Sequence, residues 1–132
     1  DEPSEESQDE AVGELLKLVN EERAKAGLPA LTLHAGATRA AQQRAGEIET
    51  SLSHTRPDVS NFTTALSAAG VSYRAAGENI AYGQKSAKQV MQDWMNSAGH
   101  RANIMNANYS SIGIGHYKNA AGVDYWTQLF IN

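Results

Sequence analysis

Apolar residues first recur at helical spacing at Val12, Leu15, Leu16 and Val19, with Lys17, Glu21, Glu22 and Arg23 on the other face. Gly27 then offers a left-handed stop and Pro29 prevents the helix from resuming. After a short apolar connector (Leu28, Leu31, Leu33), a second helix is predicted over about residues 35–50. Ala37, Ala40, Ala41, Ala45 and Ile48 form its narrow small-residue stripe, which allows another element to approach closely, and Gln42, Gln43, Arg44, Glu47 and Glu49 lie largely outside that stripe. His34, just ahead of it, reads as a surface or capping residue.

Residues 51–58 form a loop, because Pro57 cannot continue a helix and biases Arg56 towards extended backbone. Asp58 or Ser60 caps a third helix with Phe62, Ala65, Leu66 and Ala69 inward, stopped by Gly70. Residues 71–83 read as extended segment and loop, and Ser86 caps a fourth helix that buries Val90, Met91, Trp94 and Met95. From Trp94 the chain passes through a small-residue break into a short helical turn ending near Met105, with His100 and Arg101 at the break. Ile112, Ile114 and His116 alternate with small residues over 109–117, Asn119 to Gly122 makes a hairpin connection, and 123–131 is a second strand. Helices come first and strands pair late, which predicts an α+β fold with a mainly antiparallel sheet covered by helices.

Composition narrows the class. A chain of 132 residues suits one domain with a real core. No apolar run approaches the roughly 18 residues needed to span a bilayer, so no transmembrane segment is expected. Residues 1–10 hold six of the fifteen acidic side chains and no basic one, leaving nine acidic against eleven basic in residues 11–132. The acidity therefore belongs to an expected disordered tail or linker (1–10), ahead of a nearly neutral domain (11–132). The absence of a basic stripe argues against nucleic acid as a partner. With no cysteine, disulfides cannot report the compartment. The opening Asp-Glu-Pro-Ser-Glu-Glu-Ser fits either a tether to a removed leader or module, or a simple disordered terminus.

His54, Glu78 and His100 carry the candidate chemistry. A carboxylate beside two imidazoles would be kept ionised by them or share a proton with one. Such a group could hold a divalent ion, orient a water or act as general acid and base. The 24- and 22-residue separations match no local metal motif. Each residue also has an ordinary structural reading: His54 as a capping loop residue, Glu78 as an acceptor of backbone N–H groups, and His100 as a helix cap. Gly113 and Gly115 equally read as room for a helix to pack on the sheet.

Several stretches together resemble the bacterial branch of the CAP superfamily, or SCP-like domains. They are Leu18 to Arg23 with Gly27 to Leu31, Ser53 to Asp58, Gly77 to Ala81, Trp94 to Ile104, Ile112 to Gly115, and Tyr125 to Phe130, in family order. The resemblance implies a three-layer α-β-α sandwich, secreted or displayed outside the cell. It also implies a cavity tetrad of two His and two Glu that holds zinc or another divalent cation in some members. His54 matches the first His and Glu78 the Glu of the Gly-Glu-Asn stretch. Ser97 stands where the eukaryotic pattern has the second Glu, and Tyr125 where it has the second His. His100, in a Gly-His-Arg turn resembling the bacterial branch, is then the alternative imidazole, with Arg101 and Tyr125 as further cleft residues.

Two function classes follow. As a monomeric binding module, the domain would hold a small apolar molecule, peptide or cell-wall ligand between His54, Glu78 and His100. As a metal-dependent hydrolase, it would use a divalent ion on His54 and His100 with Glu78 as general base. No cysteine or Gly-x-Ser-x-Gly elbow supplies a nucleophile, and Ser53 points away from His54 in an extended loop. The binding reading is preferred. A third reading gives the tail the role of a surface contact.

Overall fold

A computed structural model describes the backbone of residues 4–132 and the side chains from residue 10 onward. The acidic tail expected over residues 1–10 lies outside the described residues in its first three positions and, for side chains, through residue 9. Helix α1 (Ser4–Lys25) leads into a two-residue strand β1 (Thr32–Leu33) and helix α2 (Ala35–Glu47). Then follow α3 (Thr63–Ala68), β2 (Ala76–Tyr82), α4 (Ala87–Met95), α5 (Ala98–Ile104), β3 (Ser111–Lys118) and β4 (Asp124–Ile131).

Local chemistry sets several boundaries. Gly27, at φ 77°, ends the turn after α1. The His34 ring Nδ1 accepts the Ala37 N–H and so caps α2, and the Ser86 hydroxyl accepts the Gln89 N–H at the start of α4. The third helix begins later than expected: Phe62 occupies its N-cap without a side-chain bond. Asp58 instead turns its carboxylate to the Ser60 N–H and hydroxyl inside the preceding loop.

The sheet order is β1-β3-β4-β2. β3–β4 and β2–β4 pair antiparallel, whereas β1 pairs parallel with β3, so the sheet is mixed rather than mainly antiparallel. The parallel pair is possible because a long crossover through α2 to α5 separates its strands in sequence. Side-chain alternation divides the core in two. One cluster joins α2 and α3 to Leu129 and Ile131, and the other joins α1, α4 and α5 to Ile112, Ile114, Trp126 and Phe130. The fold is a three-layer α-β-α sandwich.

Two arginines depart from the amphipathic pattern. Arg23, expected on the outer face of the first helix, is 1% exposed and donates to the carbonyls of Pro29, Ile104, Asn106 and Tyr109. It thereby ties the end of α5 to α1, and burial lowers its pKa. Arg44, expected outside the stripe of α2, is fully buried.

Candidate functional site

The site forms at the edge of the sheet because β2 is an edge strand, and successive β2 side chains point to opposite faces. Glu78 points to the α2 side and Asn79 to the α5 side. Elements from both layers therefore meet around one strand edge. They enclose a cavity of about 220 Å³ lined by His54, Glu78, Asn79, Ser97, Gly99, His100 and Asn103.

On the α2 side, Arg44 grips Glu78 with two bonds, Nε to Oε2 at 2.6 Å and Nη2 to Oε1 at 3.0 Å. Both side chains are wholly buried. Burial alone would lower the Arg44 pKa, but bonds to Glu78 and Glu47 and their charges outweigh it and hold the guanidinium above its ordinary value. Glu47 in turn binds Arg56 at 2.6 Å, so charges alternate from Glu78 through Arg44 and Glu47 to Arg56. This chain anchors the His54 loop at both ends, since Arg44 Nη2 also donates to the Ser53 carbonyl at 2.6 Å.

His54 is held on three counts. Its Nδ1 lies 2.8 Å from Glu78 Oε1, its carbonyl accepts the Phe62 N–H, and its ring meets the Phe62 ring edge-on at 6.2 Å. A carboxylate bound by a guanidinium is ionised and can only accept, so Nδ1 carries the hydrogen. In the neutral tautomer this bond selects, Nε2 is the nitrogen with the free lone pair.

On the α5 side, His100 lies inside the helix rather than at the break, which falls between Met95 and Ala98. Its Nδ1 is 2.8 Å from the hydroxyl of the N-cap residue Ser97. Asn79 donates to the His100 carbonyl at 3.1 Å and to Gln128 Oε1 at 3.0 Å, and Asn103 donates to the Glu78 carbonyl and to Asn79 Oδ1. These amides fasten α5 to β2. Burial, then the neighbouring His54, lowers the His100 pKa. Gly77 completes the Gly-Glu-Asn stretch sterically, because a Cβ there would sit 2.6 Å from the Tyr109 hydroxyl.

His54, Glu78 and His100 thus line one cavity, but Glu78 is partnered by Arg44 and His54, with no bond to His100. Two of the expected cleft residues lie elsewhere. Arg101 is exposed and absent from the lining, because its neighbouring position on α5 turns it about 100° from His100. Tyr125 shares the Glu78 face of the sheet, but its register partner is Tyr82, four residues beyond Glu78, and it lines a separate cavity. Arg44 is the residue that sequence reasoning missed. A cation beside the alanine stripe of a small-residue helix, with a lone carboxylate in an apolar strand, was the available signal.

The donor set does not fit a resident divalent metal. Zinc takes three or four His, Cys, Asp or Glu ligands, and among the described residues no group of three or more is arranged to hold one. Both Glu78 oxygens are already engaged. The guanidinium beside them supplies the positive charge that a metal would otherwise bring. Among the described residues lining this cavity, the Nε2 atoms of His54 and His100 remain as free imidazole donors.

Comparison with known proteins agrees with this architecture. The profile of the cysteine-rich secretory protein family, CAP, matches residues 16–130. The uncharacterized protein YkwD of Bacillus subtilis is 36% identical over 119 residues, covering 89% of this chain and 45% of YkwD. The chain thus spans less than half the length of that relative. Among solved structures, an extracellular protein containing a SCP domain from Bacillus anthracis superposes with a TM-score of 0.87 at 27% identity, covering 95% of this chain and 41% of that one. An outer surface protein of Borrelia burgdorferi superposes at 0.85 with 22% identity, covering 93% of this chain and 92% of that one, a likeness of fold.

Proposed function

The chain belongs to the CAP family, and from that premise we propose that it is an extracellular binding domain whose His54–Glu78–His100 cavity holds a polar ligand without a metal. The observation that carries this reading is the buried Arg44–Glu78 pair. It cancels the carboxylate's charge and leaves two imidazoles and three small polar side chains facing the cavity. Such a lining offers hydrogen bonds to amides, hydroxyls and carboxylates, and no aliphatic side chain is part of it. Among the ligand chemistries expected from sequence, a peptide or a cell-wall fragment therefore suits the cavity better than an apolar molecule.

Action outside the cell is supported by the neighbours described as extracellular or outer-surface proteins. Among the described residues, no helix is long and apolar enough to cross a membrane. In this reading residues 11–132 act as one monomeric CAP unit, and residues 1–10 as an acidic tether. The metal-dependent hydrolase reading is not favoured, because the carboxylate it needs as general base, Glu78, has both oxygens engaged by Arg44 and His54.

The test is titration of the wild type, His54→Ala and His100→Ala with a soluble disaccharide-peptide cell-wall fragment, followed by NMR. Each variant should fold and weaken fragment binding about tenfold, as expected for one lost hydrogen bond of a polar pair. Unchanged affinity in both variants would remove the cavity from consideration. A parallel zinc titration should give no micromolar binding; such binding, abolished in His100→Ala, would restore the hydrolase reading.

A further inference from the structure

Tyr82 stands on the same face of β2 as Glu78, about 13 Å further along the strand. Register sets Tyr82 beside Tyr125 on β4, and Tyr125 beside Tyr117 on β3. Ring centroids are 6.1 Å apart at each step, and Tyr82 and Tyr125 lie within 19° of parallel. The chain leaving α2 passes this row. Ile48, Glu49, Thr50 and Leu52, together with Tyr82 and Tyr125, bound a cavity of about 260 Å³. Leu52 and Tyr82 are 52% and 54% exposed, so two of the large apolar side chains open to solvent converge on this spot.

Glu49 sets the chemistry of the site. Asn119 donates to its Oε2 at 2.8 Å and reaches the Tyr125 hydroxyl at 3.4 Å. Asn119 is itself fixed, its Oδ1 accepting the N–H groups of Ala121 and Val123. Among the described residues, no Lys, Arg or His forms an ion pair with Glu49. The charge of Glu49, with a smaller effect of burial, raises the pKa of the Tyr117 phenol, so that ring stays neutral beside it.

We propose that this tyrosine row with Glu49 is a second binding site, for a quaternary ammonium group. The faces of tyrosine rings carry negative potential that attracts cations, and such groups are recognised by clustered aromatic rings. A quaternary nitrogen has no N–H to satisfy, so its methyl groups can rest on Leu52 and the rings while Glu49 attracts its charge. A primary ammonium would instead have to shed strong hydration for a single carboxylate. A neutral sugar would leave Glu49 without a counter-charge. The site is independent of the reading given to the His54 cavity.

The probe is choline, titrated into the full chain and followed by NMR, with 3,3-dimethylbutan-1-ol as an isostere of the same shape and no charge. Choline should produce saturable shifts at Tyr82, Tyr125 and Leu52, with the isostere about tenfold weaker, in keeping with the strength of cation–π contacts. Glu49→Gln should weaken choline binding about tenfold and leave the isostere unchanged. Tyr82→Leu, at an exposed position, should keep the fold and weaken choline severalfold, while His54→Ala should have no effect. The proposal is overturned if choline gives no saturable shift, if the isostere matches choline, or if His54→Ala abolishes the response. Saturation of the same residues by N-acetylglucosamine, with no response to choline, would overturn it in favour of a saccharide site.

Discussion

Where α2 crosses the sheet, the contact is backbone against backbone: a Cβ on Gly113 would fall 2.1 Å from the Ala37 carbonyl carbon, and one on Gly115 would fall 2.2 Å from the Ala41 oxygen. On the opposite face, α1, α4 and α5 stand off on large side chains, with Trp94, Trp126, Phe130, Ile112 and Ile114 all 1% exposed or less. At Gly113 and Gly115 the close face has no space for a side chain between α2 and β3. Towards β2, the same approach lets Arg44 reach Glu78. The wide face holds its helices by packing, and its polar ties run through Asn79 and Asn103 to α5. The cavity joins the two regimes, with a charged and rigid wall from the close face and an amide-fastened wall from the wide face.

The largest effect should come from spoiling the close face. Gly113→Ala and Gly115→Ala should each cost at least about 3 kcal/mol, the upper end of overpacking, because the atoms they meet are backbone with no flexible end to yield. On the wide face, Trp94→Ala leaves a cavity instead and should cost about 3–5 kcal/mol. Denaturant unfolding of the three variants measures both. A near-neutral glycine variant would mean that α2 can lift from the sheet, and a near-neutral Trp94 variant would mean that its ring does not hold the wide face.

Arg44→Met tests the charged wall. Removing one partner of a buried pair leaves an uncompensated charge and should cost about 3–5 kcal/mol. Adding Glu78→Gln removes that charge and should recover at least about 1 kcal/mol. A double variant no more stable than Arg44→Met would show that Arg44 acts through packing alone.

The smallest effect concerns His100. Burial and His54 hold its pKa below 6.5, so the folded state binds this proton less readily than the unfolded chain. The native state is then fully favoured above about pH 6.5 and loses stability as pH falls from there through the folded pKa. NMR titration should place the His100 midpoint below 6.5, and His54→Gln should raise it by removing a like charge. A midpoint unmoved by His54→Gln would separate the two imidazoles electrostatically and so loosen the link between the two walls.

Much of the fold is legible along the chain, because helix and strand periodicities, the cap at His34, the stop at Gly27 and the Gly113–Gly115 alternation are local signals. The family stretches, in order, also point to His54 and Glu78. The cleft membership of Arg101 and Tyr125 was not legible, because it depends on which turn of α5 faces β2 and which residues of β2 and β4 lie side by side.

By itself the sequence determined the alternation of helices and strands, the small-residue stripe on α2 and the family, since each follows from neighbours within a few residues or from ordered motifs. Only the tertiary structure decided the fate of the charges. Arg23 and Arg44 look like solvent-facing residues in a helical wheel, because periodicity assigns a charge to water unless a partner is in view. Their partners lie 81 and 34 residues away, at the Ile104 carbonyl and the Glu78 carboxylate. A buried cation is stable only where distant acceptors converge on it, and that convergence exists only once the three layers have come together.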